Sequence, residues 1–108
     1  MYNVNCDGKI VDEYLSRCKR AYDNGCYHEL MRDQELLRTD TLDFLSKDEK
    51  GFKRKKEDLE KISAVLIICE QTLFDFIEEI SKTERNFGWP KHHEQELRKK
   101  INTALQQA

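Results

Sequence analysis

Leu59-Glu60-Lys61-Ile62-Ser63-Ala64-Val65-Leu66-Ile67-Ile68-Cys69-Glu70-Gln71-Thr72-Leu73-Phe74-Asp75-Phe76-Ile77-Glu78-Glu79-Ile80 is the stretch whose reading decides the fold. Leu59, Leu66, Leu73 and Ile80 recur every seven residues, with Phe52 before them and Phe87 after, and Ile62, Cys69 and Phe76 fill the positions three beyond. That is the coiled-coil period, in which an apolar seam stays on one side of a helix. Upstream, Ser46-Lys47-Asp48-Glu49 reads as a capping box, where a serine hydroxyl and a glutamate carboxylate satisfy backbone N–H groups reciprocally. The expectation is one long helix from about residue 47 to 86. At the rise of an α-helix it would be about 60 Å long, against a radius of gyration near 13 Å for a compact domain of this size. Val65, Ile67, Ile68, Phe74 and Ile77 are apolar off the main stripe. Such a helix is either the centre of the fold or is covered by a second chain.

Working outward, Ile10, Val11, Tyr14, Leu15, Cys18, Ala21 and Tyr22 share a stripe at three-and-four spacing. They predict a helix from about residue 8 to 23, closed by Asn24-Gly25. A second helix is expected from about 26 to 45, with Tyr27, Leu30, Met31, Gln34, Leu37, Thr41, Phe44 and Leu45 inward and a weak point at Thr39-Asp40-Thr41. Phe87-Gly88-Trp89-Pro90 ends the long helix, and a last helix from residue 90 to about 107 puts Leu97, Ile101, Ala104 and Leu105 inward. The fold class is all-α: a four-helix antiparallel bundle-like domain around one long central helix. One proline and four glycines agree, since turn-rich β folds need more of both.

A chain of 108 residues fits a single domain, residues 1–108. The first eight residues lack a basic segment followed by an apolar run, and the longest apolar run, 64–69, is far below the roughly 20 residues of a membrane span. These features predict a cytoplasmic protein with no membrane partner and with its four cysteines as free thiols. Cys6 and Cys26 flank the first expected helix, which would hold them about 25 Å apart, beyond disulfide reach.

Charge is banded. Residues 47–56 carry six basic and two acidic side chains, whereas 57–86 carry three basic and eight acidic. Lys53, Arg54, Lys55 and Lys56 form a candidate anion-binding run at the start of a helix, where the dipole disfavours cations. In a helical hairpin around Ser46 these cations would face Glu35, Asp40 and Asp43, and Arg98, Lys99 and Lys100 would face Asp75, Glu78 and Glu79. Charge-matched helices account for the banding, so nucleic-acid binding is an alternative to the main reading and not the expectation. No metal is expected. Cys26, His28, His92 and His93 are spaced unlike a zinc site, and Cys18 and Cys69 fall on apolar stripes, where cysteine acts as a small hydrophobe. Glu57 with Glu60 and Asp75 with Glu78 have a magnesium-compatible spacing, but both pairs lie on one helix, too far apart to share an ion.

Arg85-Asn86-Phe87-Gly88-Trp89-Pro90-Lys91-His92 resembles the arginine–histidine signature of HEPN ribonucleases, small dimeric all-α proteins. The resemblance implies Arg85 and His92 as catalytic residues, the imidazole handling the 2′-hydroxyl proton and the guanidinium stabilising the phosphorane. No phosphate-cradling glycine loop or nucleophile motif accompanies it. The leading expectation is therefore a small non-catalytic binding or regulatory protein of the inhibitor, immunity or adaptor type, without a cofactor. It would act through protein contacts and form a homodimer through Leu59, Leu66, Leu73, Phe76 and Ile80.

Overall fold

The computed structural model describes residues 4–24, 32–82 and 93–107. Four α-helices lie within them: α1 Val4–Asn24, α2 Gln34–Phe44, α3 Lys56–Ser81 and α4 Glu94–Gln107. Among the described residues there is no strand beyond one antiparallel bridge between Lys47 and Lys53. None of the helices is long and apolar enough to cross a membrane.

α3 is the centre of the fold, and each of the other three helices packs against it. Its buried residues are Ile62, Val65, Leu66, Cys69, Leu73, Phe76, Ile77 and Ile80, a band wider than a two-helix seam because Val65 and Ile77 are enclosed as well. Ile67 and Phe74 stay on the solvent side. α1 contributes Ile10, Val11, Tyr14, Leu15 and Cys18, and α4 contributes Leu97 and Ile101, each as its spacing predicts. The stripe proposed for a homodimer is thus covered inside one chain. Leu66 and Leu73 are fully enclosed, Phe76 and Ile80 nearly so, and only Leu59 is half-exposed.

Lys9 pairs with Glu49 and Arg17 with Asp40, so α2 descends as α1 ascends. Arg38 pairs with Glu70 while Arg54 reaches back to the end of α2, so α3 ascends again. α4 lies along the second half of α3, where the His93 ring stands edge-on to Phe76 at 6.1 Å and Lys100 Nζ sits 5.2 Å over the same ring.

Several boundaries differ from the sequence reading, among them the end of the central helix, which falls at Ser81 and not near residue 86. α1 begins at Val4, runs through Gly8 and takes in Cys6, which therefore does not flank the helix. In α2 the expected weak point holds: Thr39 and Thr41 donate their hydroxyls to the carbonyls of Glu35 and Leu37, so each threonine bonds its own helix. The interruption instead falls at Asp33, and residues 25–31, with Tyr27, Leu30 and Met31, lie outside the described residues.

The largest correction concerns α3, which starts at Lys56 and not near residue 47. Ser46 does not cap it. Its hydroxyl donates to the Asp43 carbonyl at 2.7 Å and so closes α2 instead. Asp48 then turns the chain, its Oδ1 accepting the N–H groups of Lys50 and Phe52, both at 2.9 Å. An aspartate that bonds the backbone two and four residues on offers those N–H groups an alternative to the helix. Gly51 completes the turn at φ +86°, a conformation that L side chains resist. At 26 residues, α3 is about 39 Å long, comparable with the 43 Å longest dimension of the molecule, so it does not overhang.

Two pairs of substitutions test this architecture. Gly8→Ala, in a helix interior with nothing within 4 Å of the added methyl group, should stabilise by about 0.5–1 kcal/mol in urea unfolding. Gly51→Ala should instead destabilise by about 1–2 kcal/mol. Leu66→Ala should cost about 2–5 kcal/mol, whereas Ile67→Ala, on the solvent side of the same helix, should cost well under that. Equal effects at 66 and 67 would mean that the register of α3 is wrong.

Candidate functional site

The segment between α2 and α3 gathers most of the surface chemistry among the described residues. Asp48 N–H donates to the Phe52 carbonyl at 2.8 Å and Arg54 N–H to the Ser46 carbonyl at 2.9 Å, which sets Lys47 opposite Lys53 in a short two-stranded turn. Gly51 N–H returns to the Asp48 carbonyl at 3.0 Å. Arg54 is drawn inward, its Nε donating to the Leu45 carbonyl at 2.8 Å, so it fastens the turn to α2. Of the four residues named as an anion-binding run, Arg54 is therefore half-buried, while Lys53, Lys55 and Lys56 are exposed.

The expected charge matching of this run is absent. Asp40 pairs with Arg17 of α1, and Glu35 lies 3.7 Å from Arg38 on its own helix. Within the turn, Asp48 is engaged by the backbone and Glu49 pairs with Lys9. At the other end of the molecule the matching is partly as expected: Lys100 meets Glu79 at 3.0 Å, but Arg98 takes Asp12 of α1 at 2.6 Å.

Against the turn lies a cleft of about 710 Å³ between the first half of α1 and residues 44–54. Ile10, Phe44, Leu45 and Ile62 supply its apolar wall, and Lys9, Asp12, Glu13, Lys47, Asp48, Glu49 and Arg54 its charged rim. Phe44, expected inward, is 60% exposed, with the Arg17 guanidinium 4.7 Å from its ring centroid. Cation–π contact over a surface ring explains why the side chain is tolerated there. Arg17 also binds Glu13 at 2.7 Å, and so fixes one wall of the cleft. No repeat or motif signals this hub, because its partners come from two helices far apart in sequence.

A second polar group is enclosed where α1, α2 and α3 meet. The Cys18 thiol lies near the Tyr14 hydroxyl, which is buried with no hydrogen-bond partner among the described residues, and Cys69 and Glu70 are close by, with Arg38 Nη1 3.2 Å from Glu70 Oε2. Burial pushes the Cys18 thiol up to about 12, with the neighbouring Cys69 and Glu70 charges adding to the effect and the nearby Tyr14 hydroxyl opposing it. The Tyr14 hydroxyl is held far above the ordinary tyrosine range by burial first and then by Cys18. Thiolate is the nucleophilic form of cysteine, so Cys18 is a packing residue at neutral pH.

Among the described residues, no group of three or more His, Cys, Asp or Glu side chains is placed to hold a metal ion. Glu57, Glu60, Asp75 and Glu78 are exposed on α3. Cys26, His28, Arg85, Trp89 and His92 lie outside the described residues.

The raised Cys18 value gives a pH dependence with a definite sign. Above pH 9.0 an unfolded thiol loses its proton, while folded Cys18 keeps it up to about 12. Stability is therefore fully present below about pH 9 and falls as pH rises through this window. Urea midpoints should decline from pH 9 upward, and less steeply in Cys18→Ala. A flat profile would place Cys18 in contact with water.

Comparison of the chain with protein-family models, with curated proteins and with solved structures finds no match.

Proposed function

We propose that this is a small non-catalytic binding or regulatory protein of the cytoplasm that acts through protein contacts, in the manner of an inhibitor, an immunity protein or an adaptor. The observation that carries this reading is the cleft between α1 and the turn. It combines an apolar wall, a rim of both charge signs and an exposed aromatic ring held by Arg17, on elements fixed by the core. Protein-recognition surfaces have this composition, an apolar centre with aromatic anchors inside a polar rim. The enclosed thiol–phenol group supports the reading from the other side, since its burial suits packing better than reaction.

The heptad stripe is occupied within the chain, so a partner, a second copy included, meets the protein elsewhere. Leu36, Phe44 and Phe52 are the most exposed large apolar side chains among the described residues, and Phe44 and Phe52 flank the turn. Self-association through these residues is the form of homodimer compatible with the core.

Affinity purification of the tagged protein from its native host tests the reading. Wild type and Phe74→Glu should retain a stoichiometric protein partner, whereas Phe44→Glu should lose it with helicity unchanged. Retention by Phe44→Glu, or no stoichiometric partner for wild type, counts against the cleft. RNA cleavage by the purified protein, abolished in both Arg85→Ala and His92→Ala, would replace this reading with the ribonuclease one.

A further inference from the structure

We propose that the turn from Lys47 to Lys56 is a docking surface for a single-stranded nucleic acid, its lysines meeting the phosphate backbone and Phe52 stacking on a base. This goes beyond the protein-binding reading, with which it shares Lys47 of the cleft rim and the exposed Phe52 ring.

Lys47, Lys50, Lys53, Lys55 and Lys56 are all exposed, and among the described residues no side-chain hydrogen bond or ion pair engages any of them. Three acids of the surroundings are committed elsewhere, Asp48 to the turn's backbone, Glu49 to Lys9 and Asp40 to Arg17, while exposed Asp43, Glu57, Asp58 and Glu60 make no ion pair with these lysines. Two features of the turn are electrostatically unfavourable for the protein alone. Lys47 and Lys53 stand directly opposite each other across the bridge, where like charges destabilise a strand pair. Lys55 and Lys56 open α3, at the end of the helix dipole that repels cations. The turn is nonetheless held firmly by its own backbone bonds, Asp48 and Arg54. A polyanion lying along the turn relieves both costs at once.

The charge pattern favours a single strand over a bilayer or a duplex: exposed Glu57, Asp58 and Glu60 follow the lysines directly in the chain, and a broad anionic surface would press against them where a thin strand can avoid them. Phe52 is 67% exposed next to Lys53. A base stacked on that ring keeps its phosphate within reach of a lysine, and aromatic stacking with basic side chains is how single strands are held without sequence preference.

Fluorescence anisotropy with a labelled oligothymidylate tests the proposal on the full chain. Binding should be measurable at low salt and should weaken as salt rises. The double variant Lys47→Gln/Lys53→Gln should lower the slope of log K against log salt by about 1.4, two phosphate contacts' worth for a single strand. Phe52→Ala should weaken binding by at least about fivefold, the lower end of one stacked base. Lys99→Gln, on exposed α4, should change neither. Without ligand, Lys47→Gln/Lys53→Gln should melt at a higher temperature than wild type, a direction that simple damage to the turn cannot produce. Absence of salt-dependent binding at low salt, an equal loss in Lys99→Gln, or no response to Phe52→Ala overturns the proposal. So does stronger binding to polyglutamate or to phosphatidylserine vesicles than to the oligonucleotide, since the patch would then serve an acidic protein or a membrane.

Discussion

Burial of α3 against the other three helices is the constraint on which the rest of the structure depends. Its apolar band is too broad for one neighbour, because Val65 and Ile77 are enclosed along with the seam residues Leu66, Cys69 and Leu73. Each neighbour must therefore give up one apolar stripe, and each has one. The stripe of α1 from Ile10 to Cys18 and the pair Leu97 and Ile101 of α4 have no other place to go. α2 is the partner whose buried residues are polar, Gln34 and Thr41, and it joins the core through half-buried Leu37 and Leu42. Its attachment relies more on charge, with Asp40 held by Arg17 and Arg38 placed against Glu70. Exposed ion pairs contribute little. The partly buried Arg38–Glu70 contact has the greater claim to positioning α2.

That unequal attachment shapes the surface. Because α2 ends at Phe44 and the chain does not continue directly into α3, the connection must reverse direction within a few residues, and it does so on Asp48 and Gly51. The reversal lifts the lysines out of a helix and leaves the cleft against α1. The surface offered to partners is thus a by-product of how the central helix starts. Starting α3 near residue 47 would have placed the same lysines on a regular helix beside α2 and would have left no turn.

The two surfaces argued for, the cleft and the basic turn, share Lys47, Asp48, Glu49, Gly51 and Arg54. A protein seated in the cleft and a strand along the turn would therefore meet at Lys47, and each would alter the electrostatic environment of the other. Arg54 serves both differently: its guanidinium is turned toward Leu45 and fixes the relative position of cleft wall and turn.

What the sequence by itself determined was the helical class, the stripe residues of α1, α3 and α4, and the position of Cys18 and Cys69 inside the core. These follow from periodicity, and periodicity is local: the spacing of apolar residues says which face is inward whatever covers it. The cover is not local. A heptad seam is the same sequence whether a second chain or three helices of the same chain bury it, and only the packing of α1, α2 and α4 decided for the latter. The start of α3 also escaped the sequence reading, since Ser46 and Glu49 form a valid capping box in isolation. The decision went to Asp48, whose carboxylate took the Lys50 and Phe52 N–H groups, and to partners distant in sequence, Lys9 for Glu49 and Leu45 for Arg54. Charge pairing failed as a prediction for the same reason. Asp40 was expected to face the run from Lys53 to Lys56, and the tertiary fold gives it Arg17 of α1 instead, because α1 and α2 lie side by side in the core.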